Sequence, residues 1–157
     1  MPVLISGGLS PEAYRLQRIL NREDVVFADE TELPLFSKRL SLVLPTYSSS
    51  SFVHEMLKSC LDHRITHVYP LKRGEVVELS KARDLFSEYG VVLMIPSDNW
   101  LKNEQHVSAK GENITILEHG NFLAGEALIE SDLLKNETGV FSWATGGQKT
   151  EYSLYLV

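Results

Sequence analysis

The stretch "VLISGGLSPEAYRLQRIL", Val3 to Leu20, decides the fold. Its first residues, Val3 to Ser6, form a short apolar run ending in Gly7-Gly8, the pattern of a strand buried on both faces. Ser10 follows as a helix cap, Pro11 fits the first turn where a missing N–H costs nothing, and Glu12 suits the positive end of the helix dipole. Tyr14, Leu16, Ile19 and Leu20 turn the helix bulk inward, and Asn21 is a terminator. A strand, a tight glycine turn and a helix are the opening of a βαβ unit.

The same alternation continues outward. Val25 to Ala28 is a second buried strand ending in Asp29-Glu30, and a loop holding Pro34 follows. Ser41 to Leu44 is a third strand, closed by Pro45-Thr46-Tyr47. After the serines 48–51, Phe52, Val53, Met56, Leu57, Cys60 and Leu61 recur at helical spacing on one face. Thr66 to Leu71 is a fourth strand. The spacing of Val76, Leu79, Ala82, Leu85 and Phe86 predicts one helix over 75–89, ended by Gly90. Val91 to Ile95 is a fifth strand, stopped by Pro96. Alternating strands and helices imply right-handed crossovers and a mainly parallel, Rossmann-like sheet with flanking helices and the first strand central.

The pattern changes after Ser97. Residues 98–112 are polar and read as a linker. From Asn113 the pattern is strand-like, through Ile114, Ile116, Phe122, Ala124, Leu128 and Ile129. Val140 to Trp143 and Tyr152 to Leu156 alternate as half-buried antiparallel strands around the turn Thr145-Gly146-Gly147-Gln148. The fold class is therefore α/β: a five-stranded domain over 1–97 and a small antiparallel β appendage over 113–157. Large apolar groups stand on both faces of the last strands. This sheet is expected to pack on the first domain or on a second subunit, so Phe141, Trp143, Tyr152, Leu154 and Leu156 become candidates for assembly, with a two-fold homodimer as the expected partner arrangement. Leu156-Val157, without a polar tail, are expected to be tied into structure.

Bulk properties narrow the function. The chain has 157 residues, 43% hydrophobic and 23% charged, enough for one domain with a small addition. A net charge of −6 argues against a nucleic-acid surface. One cysteine, Cys60 on an apolar helix face, excludes an intrachain disulfide and a cysteine-rich metal site. No apolar run approaches the roughly 20 residues of a membrane span. Met1 to Ile5 lack the basic region of a signal peptide, so a cytoplasmic location is the expectation. His54, His63, His67, His106 and His119 show no metal-ligand spacing, and no Gly-x-Ser-x-Gly elbow occurs. No catalytic residue, metal ligand or cofactor is assigned.

The glycine turn has two readings. A Rossmann fingerprint, Gly-x-Gly-x-x-Gly, aligns on Ser6-Gly7-Gly8-Leu9-Ser10-Pro11, with only its second glycine filled. No Walker lysine follows. The place is still right for an anion, and Asp29 lies about 20 residues on, where a ribose-binding acid would sit. If the topology holds, Gly7, Gly8, Ser10, Asp29, Thr46, Tyr47, Lys72 and Glu75 line one crevice at the carboxyl ends of the strands. A small anionic ligand is its expected occupant.

Four segments carry a family resemblance: "VLISGGLSPEAYRLQRIL", "VVFADE", "LVLPTYSSSSFVHEMLKSCLDHRITHVYPL" and "GEVVELSKARDLFSEYGVVLMIPS". With the Pro-x-x-Ser before the second helix, their order over residues 1–97 resembles the pre-ATP-grasp domain of ATP-grasp ligases, including the carbamoyl phosphate synthetase large-subunit group. Those ligases hold nucleotide in a following domain of roughly 200 residues. Only about 60 residues follow here, with Asn99-Trp100-Leu101-Lys102 where an Asp-Lys often opens the next domain. The family's ATP-binding residues map to no position. The resemblance implies a stand-alone, non-catalytic domain acting in binding or assembly, with itself or with an ATP-grasp-type partner. The alternative is a small Rossmann-like nucleotide-binding protein or enzyme using the Gly7-Gly8 turn and Asp29.

Overall fold

The computed structural model describes residues 1–32, 40–103, 113–127, 134–146 and 149–157. The chain forms two compact units, Met1–Leu93 with Leu156–Val157, and Met94–Tyr155. The first boundary lies earlier than Ser97, because Met94 to Pro96 belong with the second unit.

The first unit is an α/β sheet. Strands β1 (Val3–Ile5), β2 (Val25–Asp29), β3 (Ser41–Val43), β4 (His67–Tyr69) and β5 (Val92–Leu93) are all parallel, in the order β3-β2-β1-β4-β5. The expected central position of β1 holds, and Val3, Leu4 and Ile5 are fully buried. Helix α1 (Pro11–Leu20) begins as its sequence dictates. The Ser10 hydroxyl accepts from the Ala13 N–H, Pro11 stands in the first turn, and Asn21 closes the helix at φ 52°. Helix α2 (Phe52–Asp62) buries Phe52, Met56, Leu57 and Cys60. Leu61, expected inward, is 45% exposed, because it sits at the edge of that apolar stripe.

The single helix expected over 75–89 is two: α3 (Arg73–Ser80) and α4 (Arg83–Glu88). The hydroxyl of Ser80 donates back to the Val77 carbonyl (2.6 Å). Lys81 and Ala82 then bond three residues back, to Glu78 and Leu79, tightening the turn until Ala82 leaves helical geometry. Val76, Leu79 and Phe86 are still buried. Gly90 ends α4 in the left-handed region, at φ +75°.

The second unit opens with α5 (Asp98–Asn103), where a linker was expected over 98–112. Ser97 nucleates it. Its hydroxyl accepts from the Trp100 N–H (3.3 Å) and its carbonyl from the Leu101 N–H (3.0 Å). The rest of that segment, 104–112, lies outside the described residues. Four antiparallel strands follow: β6 (Asn113–Glu118), β7 (Asn121–Gly125), β8 (Gly139–Gly146) and β9 (Lys149–Leu154), in the order β7-β6-β8-β9. The expected Gly147-Gln148 turn and Leu128-Ile129 lie outside the described residues, though Gly146 pairs with Lys149.

Candidate functional site at the carboxyl edge of the parallel sheet

The strand order makes a switch point beside β1. The chain leaves β1 toward β2 and later returns to β1's other side as β4. Loops after β1 and β4 diverge there, and open α/β sheets bind ligands in such crevices. In this protein the two loops are stitched together. Ser6 N–H donates to the Tyr69 carbonyl (3.1 Å), and Leu71 N–H donates to Ser6 Oγ (2.8 Å). Ser6 Oγ–H is then free to donate to the carboxylate of Glu75, its hydrogen-bond partner. Ser6 is buried, and its role has little sequence signal beyond being the one hydroxyl at the end of an apolar run.

The glycine turn is satisfied internally as well. Gly8 N–H donates to the Ala28 carbonyl (3.0 Å), Ser10 N–H to the Gly7 carbonyl (2.8 Å), and Leu9 N–H to Asp29 Oδ2 (3.0 Å). Asp29 therefore sits where a ligand anion would meet the turn. Its Oδ1 also accepts from Glu30 N–H (2.7 Å) and Lys72 Nζ (2.9 Å). Gly8 is required for this approach, since a Cβ would stand 2.9 Å from Phe27 Cβ and 3.3 Å from the Ala28 carbonyl. Gly7 is required for its φ of +63°.

The electrostatics follow from one ammonium among three carboxylates. Lys72 Nζ lies 2.9 Å from Asp29 Oδ1 and 3.6 Å from Glu30 Oε1. Burial pushes the Asp29 carboxyl up, but Lys72 and the N–H groups of Leu9 and Glu30 outweigh it and leave Asp29 below its ordinary value. Burial likewise pulls Lys72 down, and Asp29, Glu30 and Glu75 together hold it above its ordinary value. Glu75, 6% exposed in the first turn of α3, is different. Burial pushes its carboxyl up to about 7, Ser6 and Lys72 pull against that, and Asp29 and Glu30 add to it. The remaining walls are Ala28, Leu44, Pro45 and Phe52, and the crevice volume is about 10 Å³, near that of one water.

Of the eight expected ligand residues, Asp29, Lys72 and Glu75 line this crevice. Gly7, Gly8 and Ser10 are not among its lining residues; their turn touches it only where the Leu9 N–H bonds Asp29. Tyr47 lies against α3, its ring filling the space a Cβ at Gly74 would need. Thr46 is exposed, its hydroxyl 3.5 Å from Ser48 Oγ. Ser6, Ala28, Glu30, Leu44, Pro45 and Phe52 are the lining residues sequence reasoning missed.

The expected assembly residues are buried or half-buried within the chain. Phe141 is fully buried, its ring edge-on to Trp100 at 5.1 Å, and Leu154 is 8% exposed. Trp143 is half-buried, its Nε1–H donating to Thr115 Oγ1 (2.8 Å). Tyr152 and Leu156 are half-buried. The exposed apolar groups of this sheet are instead Phe122 (52%) and Leu123 (45%) on β7. Among the described residues no cluster of His, Cys, Asp and Glu could hold a metal, and no helix is long and apolar enough to cross a membrane. Burial pushes the Cys60 thiol up to about 12, so it is un-ionised. No family model and no curated protein sequence matches the chain.

Proposed function

We propose that this protein is a non-catalytic binding and assembly domain, similar in its first unit to the pre-ATP-grasp domain of ATP-grasp ligases. One observation carries the reading. The switch-point crevice, where related architectures take a nucleotide, is filled by the chain's own Asp29–Lys72 pair. The backbone donors of Gly8, Leu9 and Ser10 are already engaged, and Lys72 is spent on Asp29 and Glu30. A phosphate arriving there would meet engaged donors and acidic neighbours. That counts against the anionic ligand expected from the sequence.

The partner surface is assigned to β7. It pairs with β6 on one side and, among the described residues, with no strand on the other. Asn121 to Gly125 carry no charge, whereas the opposite edge, β9, includes Lys149 and Glu151, residue types that discourage edge pairing. A second copy added antiparallel about a two-fold axis at Leu123 would set Leu123 against Leu123 and the large Phe122 against the small Ala124. An ATP-grasp-type protein offering a strand would use the same edge.

Two measurements test the reading. Sedimentation velocity should show a dimer, and Leu123→Lys, which sets two ammonium groups against each other, should return a folded monomer. Calorimetry with Mg-ATP should show no heat of binding. A micromolar dissociation constant, about −8 kcal/mol, would favour the nucleotide-binding alternative and overturn the proposal. A monomer at every concentration would overturn the self-association.

A further inference from the structure

The crevice groups carry an inference that stands whether or not the chain assembles. Asp29 is saturated by Lys72 Nζ, Glu30 N–H and Leu9 N–H. Glu75 lies beside this pair, buried, with the Ser6 hydroxyl as its hydrogen-bond partner. The charged groups acting on it are Asp29 and Glu30 from the end of β2 and Lys72 from the loop before α3. Around it, the turn after β1 supplies Ser6, the loop after β3 supplies Leu44 and Pro45, and α2 supplies Phe52. Tyr47 packs on Gly74, and Arg73 on its own helix is exposed. With all three carboxylates ionised, Lys72 pairs with Asp29 and Glu30 is open to water, which leaves the buried Glu75 uncompensated against apolar walls. The least solvated of them then takes a proton.

We propose that Lys72 is the shared counter-ion of a proton-operated latch. With Glu75 protonated, Lys72 holds Asp29 against the Gly7–Leu9 turn. When Glu75 gives its proton to water, Lys72 divides between Glu75 and Asp29 and that hold loosens. The device is compact because Lys72 and Glu75 are one helical turn apart at the start of α3, and Lys72's carbonyl accepts from Val76 N–H in that same turn (3.1 Å). Asp29 is tied to Leu9, so a change at Glu75 reaches the glycine turn through two side chains. Burial sets the midpoint near 7, where cellular pH changes are felt.

Carboxyl-carbon NMR of the whole chain between pH 5 and 9 tests this. The Glu75 carboxyl resonance should titrate near pH 7, and the Asp29 carboxyl and Leu9 amide should show secondary shifts at that same midpoint. Ser6→Ala, which removes a hydrogen bond to the charged form, should move all three midpoints upward together. Glu75→Gln should abolish the shifts at Asp29 and Leu9. Flat Asp29 and Leu9 resonances in the unaltered chain, or shifts whose midpoint differs from that of Glu75, would overturn the latch without any variant. Shifts that survive in a folded Glu75→Gln protein would overturn it as well.

Discussion

The two units treat their sheet edges in opposite ways. The parallel sheet presents its carboxyl edge, the ordinary ligand side of an α/β fold, and closes it with Ser6, Asp29, Lys72 and Glu75. The antiparallel sheet buries Phe141 and Leu154 and, among the described residues, leaves the outer edge of β7 unpaired, with Phe122 and Leu123 exposed. Polar groups are spent where a small molecule would go, and apolar groups are left where a strand would go. The difference teaches that the expected location of a site and its readiness for a ligand are separate facts. Readiness is decided by whether donors are free.

The largest expected effect lies in the core of the second unit and is read by that unit's own tryptophans. Both tryptophans, Trp100 and Trp143, lie in the second unit, so their fluorescence reports on it directly. Phe141→Ala removes a fully buried ring and should cost about 3–5 kcal/mol in urea unfolding followed by that fluorescence.

The next effect belongs to the closed edge and depends on pH. Glu75 has a folded-state value of about 7 against an ordinary 4.5, so the unfolded chain ionises first as pH rises. Its contribution to stability is fully present below 4.5 and is lost as pH climbs through about 7, a change of about 3 kcal/mol. Glu75→Gln should therefore stabilise the first unit at pH 8 by a similar amount and flatten that slope. Asp29 has the opposite sign. Its carboxyl is held below the ordinary 3.8, so its contribution is present above that value and is lost as pH falls further. Circular-dichroism-monitored urea unfolding across pH 3 to 8 checks both signs.

Gly8→Ala should cost about 1–3 kcal/mol, since its Cβ meets Phe27 and the Ala28 carbonyl in the packed turn. Thermal melting measures it, and an unchanged midpoint would mean that the turn has slack. Smallest in stability is Leu123→Lys, within about 0.5 kcal/mol because the side chain is exposed, although it is expected to abolish self-association.

Much of the first unit was legible because buried parallel strands are written as unbroken apolar runs, and because Ser10-Pro11 and Gly90 punctuate their helices locally. The break at Lys81-Ala82 was hidden, since the apolar period of Val76, Leu79 and Phe86 runs through it and only the back-bonded Ser80 marks it. Trp100 was hidden in a polar segment, so the cover over Phe141 was sought in the first domain or a second chain and not in that segment. At the candidate site, sequence placed Asp29, Lys72 and Glu75 on one edge by topology. It had no means of pairing Lys72 with Asp29, 43 residues away, or of showing that Leu9's donor was already taken. Local patterns give positions along an edge, whereas a closed crevice is a property of contacts between distant segments.

The central claim is that the Gly7–Leu9 turn is occupied by Asp29 and offers nothing to a phosphate. Its most direct test is the Leu9 amide in a nitrogen–proton NMR spectrum during titration with Mg-ATP at pH 6, where the Asp29–Lys72 pair is intact. The account predicts that the Leu9 and Gly8 resonances stay in place through millimolar nucleotide. A saturable shift of the Leu9 amide, with loss of the Asp29 contact, would contradict it.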